Sequence, residues 1–229
     1  MKLFRNRREA GRLLAAHLHA YAGRSDVLVL ALPKGGVPVA ADVASALAAP
    51  LDVLVVRKIG APWNPEAAIG AIASGGMMVL DVRAIDQFDL TRAQLDPIIQ
   101  SERLELARRE RVFRIDHPFP AIAGKVVILV DDGLATGATM QAAVAAVKTK
   151  GPAHVVVAVP VASVSARVAL ESLVDRVVCL EAPEPFYGVG AWYEDFSQTT
   201  DEEVLSLLAE CRANEQSRRR PALDGAISA

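Results

Sequence analysis

The sequence predicts an α/β protein: a central, mostly parallel sheet flanked by helices, with an inserted hairpin and helix and a small closing segment near the C-terminus. Three observations carry that reading. Short β-branched runs alternate with Ala-rich stretches along the chain. The runs are almost wholly apolar, as in strands covered on both faces. The stretches between most of them are long enough for crossover helices, which places successive strands parallel.

A helix over residues 5–21 opens the chain. Strands are expected at 26–32 (DVLVLAL), 51–56 (LDVLVV), 126–130 (VVILV), 155–161 (VVVAVPV) and 176–180 (RVVCL), with crossover helices at 37–48, 140–150 and 164–173. Two pieces interrupt the alternation. Residues 68–73 and 77–81 flank Ser74-Gly75-Gly76 and read as a hairpin. Residues 91–114 read as a long charged helix whose Glu105/Arg109 and Glu110/Arg114 pairs have the i,i+4 spacing of a solvated face. Pro97 either kinks that helix or marks its start. After residue 181 the chain is expected to form a closing segment that ends in a helix at 201–212. The whole reads as one domain over residues 1–213, with a core at 22–180. Residues 214–229, with Arg218-Arg219-Arg220 beside Pro221, read as a flexible tail.

Composition narrows the function classes. Hydrophobic residues make up 52%, charged residues 23%, and the formal net charge is -2. That balance offers no basic face of the kind general nucleic-acid binding requires. Cys179 and Cys211 form no C-x-x-C pair, which argues against a zinc site or disulfide framework and for a reducing, cytoplasmic setting. The first turns are charged and lack a signal-peptide core, and the apolar runs are strand-sized, so no membrane association is expected. Neither His-Glu-x-x-His nor Gly-x-Ser-x-Gly occurs.

The most informative string is VVILVDDGLATGATM, residues 126–140. A buried strand runs into two adjacent carboxylates, Asp131 and Asp132. A loop of small residues follows, from Gly133 through Ala135, Thr136, Gly137 and Ala138 to Thr139, and opens directly into a helix. Small residues let backbone amides approach an anion, the helix N-terminus adds unpaired donors, and the threonines add hydroxyls. That is a cradle for one phosphate group. The carboxylates upstream can accept from two vicinal hydroxyls or hold the hydration shell of Mg²⁺. Taken singly, each residue fits a strand ending in an Asp-Asp-Gly turn with a Thr cap; the ordered string favours the cradle.

This string resembles the signature of type I phosphoribosyltransferases, which bind 5-phosphoribosyl 1-diphosphate (PRPP). The resemblance implies that Asp131 and Asp132 contact the ribose hydroxyls, and Mg²⁺ through water, while Gly133 and residues 135–139 wrap the 5′-phosphate. Leu32-Pro33-Lys34-Gly35-Gly36 is similar to the family's pyrophosphate loop, which binds through backbone amides and often carries a strained or cis peptide; Lys34, Gly35 and Gly36 match it by position. Val56-Arg57-Lys58, read as the exit of the second strand, resembles the basic pair of orotate-type members. A bacterial group of stand-alone phosphoribosyltransferase-like proteins without an assigned substrate is similar from about residue 4 to 208.

The implied activity is transfer of the 5-phosphoribosyl group to a nitrogenous base or related acceptor with release of pyrophosphate, in a Mg²⁺-dependent homodimer of nucleotide metabolism. Lys34, Arg57 and Lys58 would then be catalytic, stabilising the leaving group. Residues 59–67, with Trp63, would close as a lid; Glu66 there is a general base or surface charge. The family's variable hood over the base would fall at residues 181–213, where Phe186, Tyr187, Trp192, Tyr193 and Phe196 either stack on a base or plug the core. Ala135 stands where 6-oxopurine enzymes carry an acid, which counts against hypoxanthine or guanine. A non-catalytic PRPP or nucleotide sensor on the same fold is the alternative, and a different phosphate-binding α/β enzyme a third; retention of Lys34, Arg57 and Lys58 favours catalysis.

Overall fold

A computed structural model of the chain describes residues 3–113 and 117–219. In chain order its elements are α1 (Arg7–Ala16), a short 3-10 turn (His19–Tyr21), β1 (Val27–Ala31), α2 (Gly36–Leu47), β2 (Leu51–Val53), β3 (Val56–Ala61), β4 (Asn64–Ala73), β5 (Met77–Leu80), α3 (Val82–Gln87) and α4 (Arg92–Phe113). These are followed by β6 (Val126–Val130), α5 (Ala138–Lys148), β7 (His154–Val161), α6 (Val164–Glu171), β8 (Arg176–Glu181), a second 3-10 turn (Val189–Trp192) and α7 (Asp201–Arg219).

Five strands form a parallel sheet in the order β2-β1-β6-β7-β8. The alternation of side chains sorts their residues into two cores. Val27, Val29, Ala31, Val126, Ile128 and Val130 face the side covered by α1, α2 and α7. Leu28, Leu30, Val127 and Leu129 face the other side, under α5 and α6. Apolar runs without polar interruption are what a sheet buried on both faces requires, and this part of the expected α/β fold stands.

The second strand is shorter than the sequence suggests, and the difference relocates two candidate residues. Leu54 donates its N–H to the Ala31 carbonyl at 2.8 Å, the last such contact on that edge. At Val55 the chain is taken over by buried Ser74: the Val55 N–H donates to Ser74 Oγ at 3.0 Å, and the Ser74 N–H donates to the Val55 carbonyl at 3.0 Å. Residues from Val56 onward therefore enter a separate antiparallel sheet, β3-β4-β5. Arg57 and Lys58 lie on β3 and do not end a strand of the parallel sheet. Residues 59–67, expected to close as a lid, fall in the hairpin of β3 and β4, with Pro62-Trp63 at its tip. Trp63 is exposed there, its ring edge-on to Phe88 with centroids 6.0 Å apart.

Other boundaries move for local reasons. Asp81 caps α3, accepting from the Arg83 and Ala84 amides, a helix absent from the sequence reading. The α4 helix runs on both sides of Pro97. Its Glu105–Arg109 pair forms at 2.8 Å, whereas Arg114 lies outside the described residues. The α7 helix passes residue 213, the expected end of the folded region, and reaches Arg219. Val204, Leu207 and Leu208 pack into the core, and Arg218 donates to the Ser45 carbonyl at 3.3 Å. The expected tail is thus helical over 214–219, while 220–229 lie outside the described residues. No described helix is long and apolar enough to cross a membrane.

Ser74→Ala removes the acceptor for a buried amide and should destabilise the fold by about 1–3 kcal/mol. Denaturant unfolding measures this; an unchanged midpoint would show that the Ser74 clasp contributes nothing.

Candidate functional site

Strand order reverses direction between β1 and β6: β1 leads to β2 on one side, β6 to β7 and β8 on the other. The loops leaving such a pair run apart, and the crevice between them at the carboxyl edge is where open α/β sheets take ligands. Here those loops are residues 32–36 after β1 and residues 131–139 after β6. The chain topology therefore brings together the two best-defined strings of the sequence.

The two loops touch closely. A Cβ built on Gly35 would sit 2.0 Å from Asp132 Oδ2, and one on Gly36 would sit 2.8 Å from the Val130 carbonyl oxygen. Only glycine fits at either position. The Pro33–Lys34 peptide bond is cis. Beyond the carboxylates, residues 133–139 line a cavity of about 210 Å³ together with Asp131 and Val189. Gly137, at φ +72°, makes the left-handed turn that starts α5 at Ala138. Ser163 Oγ donates to the Ala135 carbonyl at 2.6 Å and accepts from the Ala166 amide, so the loop is tied to the start of α6.

The carboxylates differ in their surroundings. Asp131 accepts the Asp132 N–H at 2.9 Å. Burial raises its pKa well above the usual carboxylate range, and the neighbouring charge of Asp132 raises it further. Asp132 is also raised by burial, but Arg7 counteracts this by donating from Nε to Oδ2 at 2.7 Å. The Arg7 guanidinium donates from Nη1 to the Ser197 carbonyl at 2.7 Å and lies 3.9 Å above the centre of the Phe196 ring.

Arg7 was not among the expected site residues. Its partner is 125 positions away, and a charged N-terminal helix reads locally as a solvated one. Tyr193 also reaches the site, its hydroxyl donating to the Asp132 carbonyl at 2.6 Å. Burial, then the charge of Asp132, pushes that phenol's pKa upward. Packed between Phe4 and Phe196, Tyr193 acts as the plug, whereas Phe196 borders open space and Tyr187 is exposed.

Lys34 stands between two further cavities. One, of about 320 Å³, joins it to Thr139 of the loop after β6 and to Arg108 and Arg109 of α4. The other, of about 510 Å³, joins it to Gly35, Asp132, Arg7, Phe196, Gln198 and Thr199. Lys34 Nζ is 3.0 Å from Asp201 Oδ1. Asp201 is thus a first-turn partner of Lys34, and α7 is capped by Thr200, whose Oγ1 accepts the Glu203 N–H. Arg57 and Lys58 line none of these three cavities, and Arg57 Nε donates to Glu102 at 2.7 Å. The side chain of Glu66 lies outside the described residues.

Among the described residues no three His, Cys, Asp or Glu side chains cluster as a metal cage. Two adjacent, poorly solvated carboxylates without a third protein ligand fit a Mg²⁺ that keeps water and substrate oxygens as its remaining ligands.

A family model described as the phosphoribosyl transferase domain matches residues 4–194. Two curated Mycobacterium tuberculosis proteins, named provisionally as phosphoribosyl transferases, are 42% identical over 226 residues, covering 99% of this chain and 50% of theirs. The chain therefore spans about half the length of these relatives. The crystal structure of the protein TT1426 from Thermus thermophilus matches with a TM-score of 0.83 at 46% identity, over 92% of this chain and 99% of that one.

Because folding raises the Asp131 pKa above its value in the unfolded chain, the folded state favours the protonated form. The resulting destabilisation is absent below the unfolded pKa and complete above the folded one. Asp131→Asn keeps an acceptor for the Asp132 amide and removes that charge. It should raise the melting temperature of the ligand-free protein at neutral pH, by a margin that shrinks as pH falls. Melting curves across pH check this, and a lower melting temperature at neutral pH would contradict it.

Proposed function

The chain belongs to the phosphoribosyl transferase family, and from that premise we propose that it transfers the 5-phosphoribosyl group of PRPP to a nitrogenous acceptor, releasing pyrophosphate. The observation that carries this reading is the meeting of two glycine-containing loops at the topological switch point with a carboxylate pair between them.

In this reading the backbone amides of residues 135–139, the hydroxyls of Thr136 and Thr139 and the positive end of α5 hold the 5′-phosphate. Asp131 and Asp132 accept from the vicinal ribose hydroxyls. The Gly35 amide and the Lys34 ammonium hold the pyrophosphate, while Gly36, whose own N–H donates to the Leu32 carbonyl at 3.1 Å, lets the loop approach. Reaction breaks the bond from C1 to the diphosphate oxygen, whose electron pair leaves with pyrophosphate, and forms a bond from C1 to the acceptor nitrogen. The sugar passes through an oxocarbenium-like state, so catalysis requires charge stabilisation on the leaving group and exclusion of water. Mg²⁺, when bound near Asp131 and Asp132, would neutralise part of the diphosphate charge.

The β3–β4 hairpin leaves the core beside Lys34's cavity through Val56 and serves as the lid, with Arg57 and Lys58 near its base. The acceptor takes the cavity bordered by Phe196, Gln198 and Thr199, where an aromatic face and an amide suit a planar nitrogenous ring. This hood is built from both chain ends: Phe4 pairs with Tyr193, and Arg7 holds Ser197.

Calorimetric titration with PRPP should show Mg²⁺-dependent binding. Asp131→Asn combined with Asp132→Asn should weaken that binding by about 2–4 kcal/mol, through loss of two charge-assisted hydrogen bonds. Unchanged affinity would contradict the assignment.

A further inference from the structure

The cavity of about 320 Å³ beside Lys34 has a wall that the carboxyl-edge loops do not supply. It is formed by the last turns of α4, through Arg108, Arg109, Val112 and Phe113. Opposite them stand Pro33, Lys34 and Thr139. Three cations border this space against one carboxylate, Asp201, which lies on Lys34.

The two arginines are held side by side by a single acid. Arg108 donates from Nε and Nη2 to Glu105 at 2.8 and 2.9 Å, and Arg109 donates from Nε to the same carboxylate at 2.8 Å. Those two guanidiniums hold the Glu105 carboxyl down at about 2, so it stays ionised and keeps them paired across the physiological range. One carboxylate shared by two guanidiniums leaves a net positive charge. Each guanidinium carries five N–H donors, more than Glu105 engages. The spacing of Glu105 and Arg109 reads as a solvated helix face; both arginines are indeed exposed, and that face also borders the cavity.

We propose that Arg108 and Arg109 form, with Lys34, the wall that receives the diphosphate end of the donor. The inference rests on the donor-binding reading above. The choice between the two cavities that Lys34 borders follows from their charge and lining. The side with three cations and only apolar neighbours besides Thr139 and Asp201 suits a group bearing several negative charges. The other side also carries a cation, Arg7, but that one is paired with Asp132 at 2.7 Å, and an aromatic ring and an amide complete the lining. Guanidinium forks match phosphate oxygens in pairs, which a lysine does not. Arg57, which sequence places in this role, instead has Glu102 as its partner and lies off the cavity.

Two probes separate the inference from the reading beneath it. Inorganic pyrophosphate with Mg²⁺ tests the α4 wall, and ribose 5-phosphate tests the phosphate loop and carboxylates. Both are titrated calorimetrically into the full chain. The R108Q/R109Q variant should bind pyrophosphate roughly tenfold more weakly or worse, with ribose 5-phosphate affinity within about twofold of the original. R103Q/R111Q, which removes the same charge from the same helix away from the cavity, should change neither. If R108Q/R109Q does not fold, R108K/R109K keeps the charge, drops the planar fork, and should still weaken pyrophosphate alone. Undiminished pyrophosphate binding in a folded variant that binds ribose 5-phosphate overturns the inference, as does an equal loss in R103Q/R111Q. An unaltered chain that binds neither probe overturns the donor-binding reading and the inference with it.

Discussion

The contact between the loop after β1 and the carboxylates after β6 is the constraint on which the site depends. With 2.0 Å between a Gly35 Cβ and Asp132 Oδ2, the two loops can lie this close only if one has no side chain. The rest follows from that approach. The sheet must be parallel to bring both loops to one edge, the strand order must reverse between β1 and β6, and the strands must be apolar on both faces to support helices on each side. The cavities beyond are then shaped by what surrounds Lys34 and the Asp pair.

Two carboxylates at the end of a buried strand are unfavourable unless something offsets their charge. In the chain itself Arg7 offsets one of them. It also ties Asp132 to Ser197 and Phe196, so one side chain links the first helix, the carboxylate pair and the closing segment. Tyr193 adds a second tie through the Asp132 backbone. Asp131 feels the Arg7 charge only at a distance and makes no ion pair among the described residues; a ligand that brings hydroxyls or a hydrated cation would relieve it. A site that is electrostatically costly when empty and satisfied when filled is how stability is commonly exchanged for function.

Much of this was legible in the sequence because it is local. β6 matches its expected residues throughout, and the loop and helix after it are specified by neighbours within fifteen positions: apolar run, two acids, small residues, helix. What escaped depends on distance. Arg7 and Ser163 act on partners 125 and 28 residues away, and neither leaves a local trace. Arg57 and Lys58 were set on the wrong strand because the apolar run 51–56 continues across a sheet boundary that only Ser74, nineteen residues on, imposes. The aromatic cluster read as one feature divides in the fold: Tyr193 is core, Phe196 borders a cavity, and Tyr187 faces solvent. Pair spacing on α4 gave the Glu105–Arg109 partnership on an exposed face, but periodicity could not tell that this face also borders the cavity beside Lys34.

The most direct test of the account is a crystal structure of the chain with PRPP and Mg²⁺. The account predicts the 5′-phosphate within the loop of residues 135–139, the ribose hydroxyls on Asp131 and Asp132, and the diphosphate at Lys34. A donor bound elsewhere, or one whose ribose does not meet the two aspartates, would contradict it.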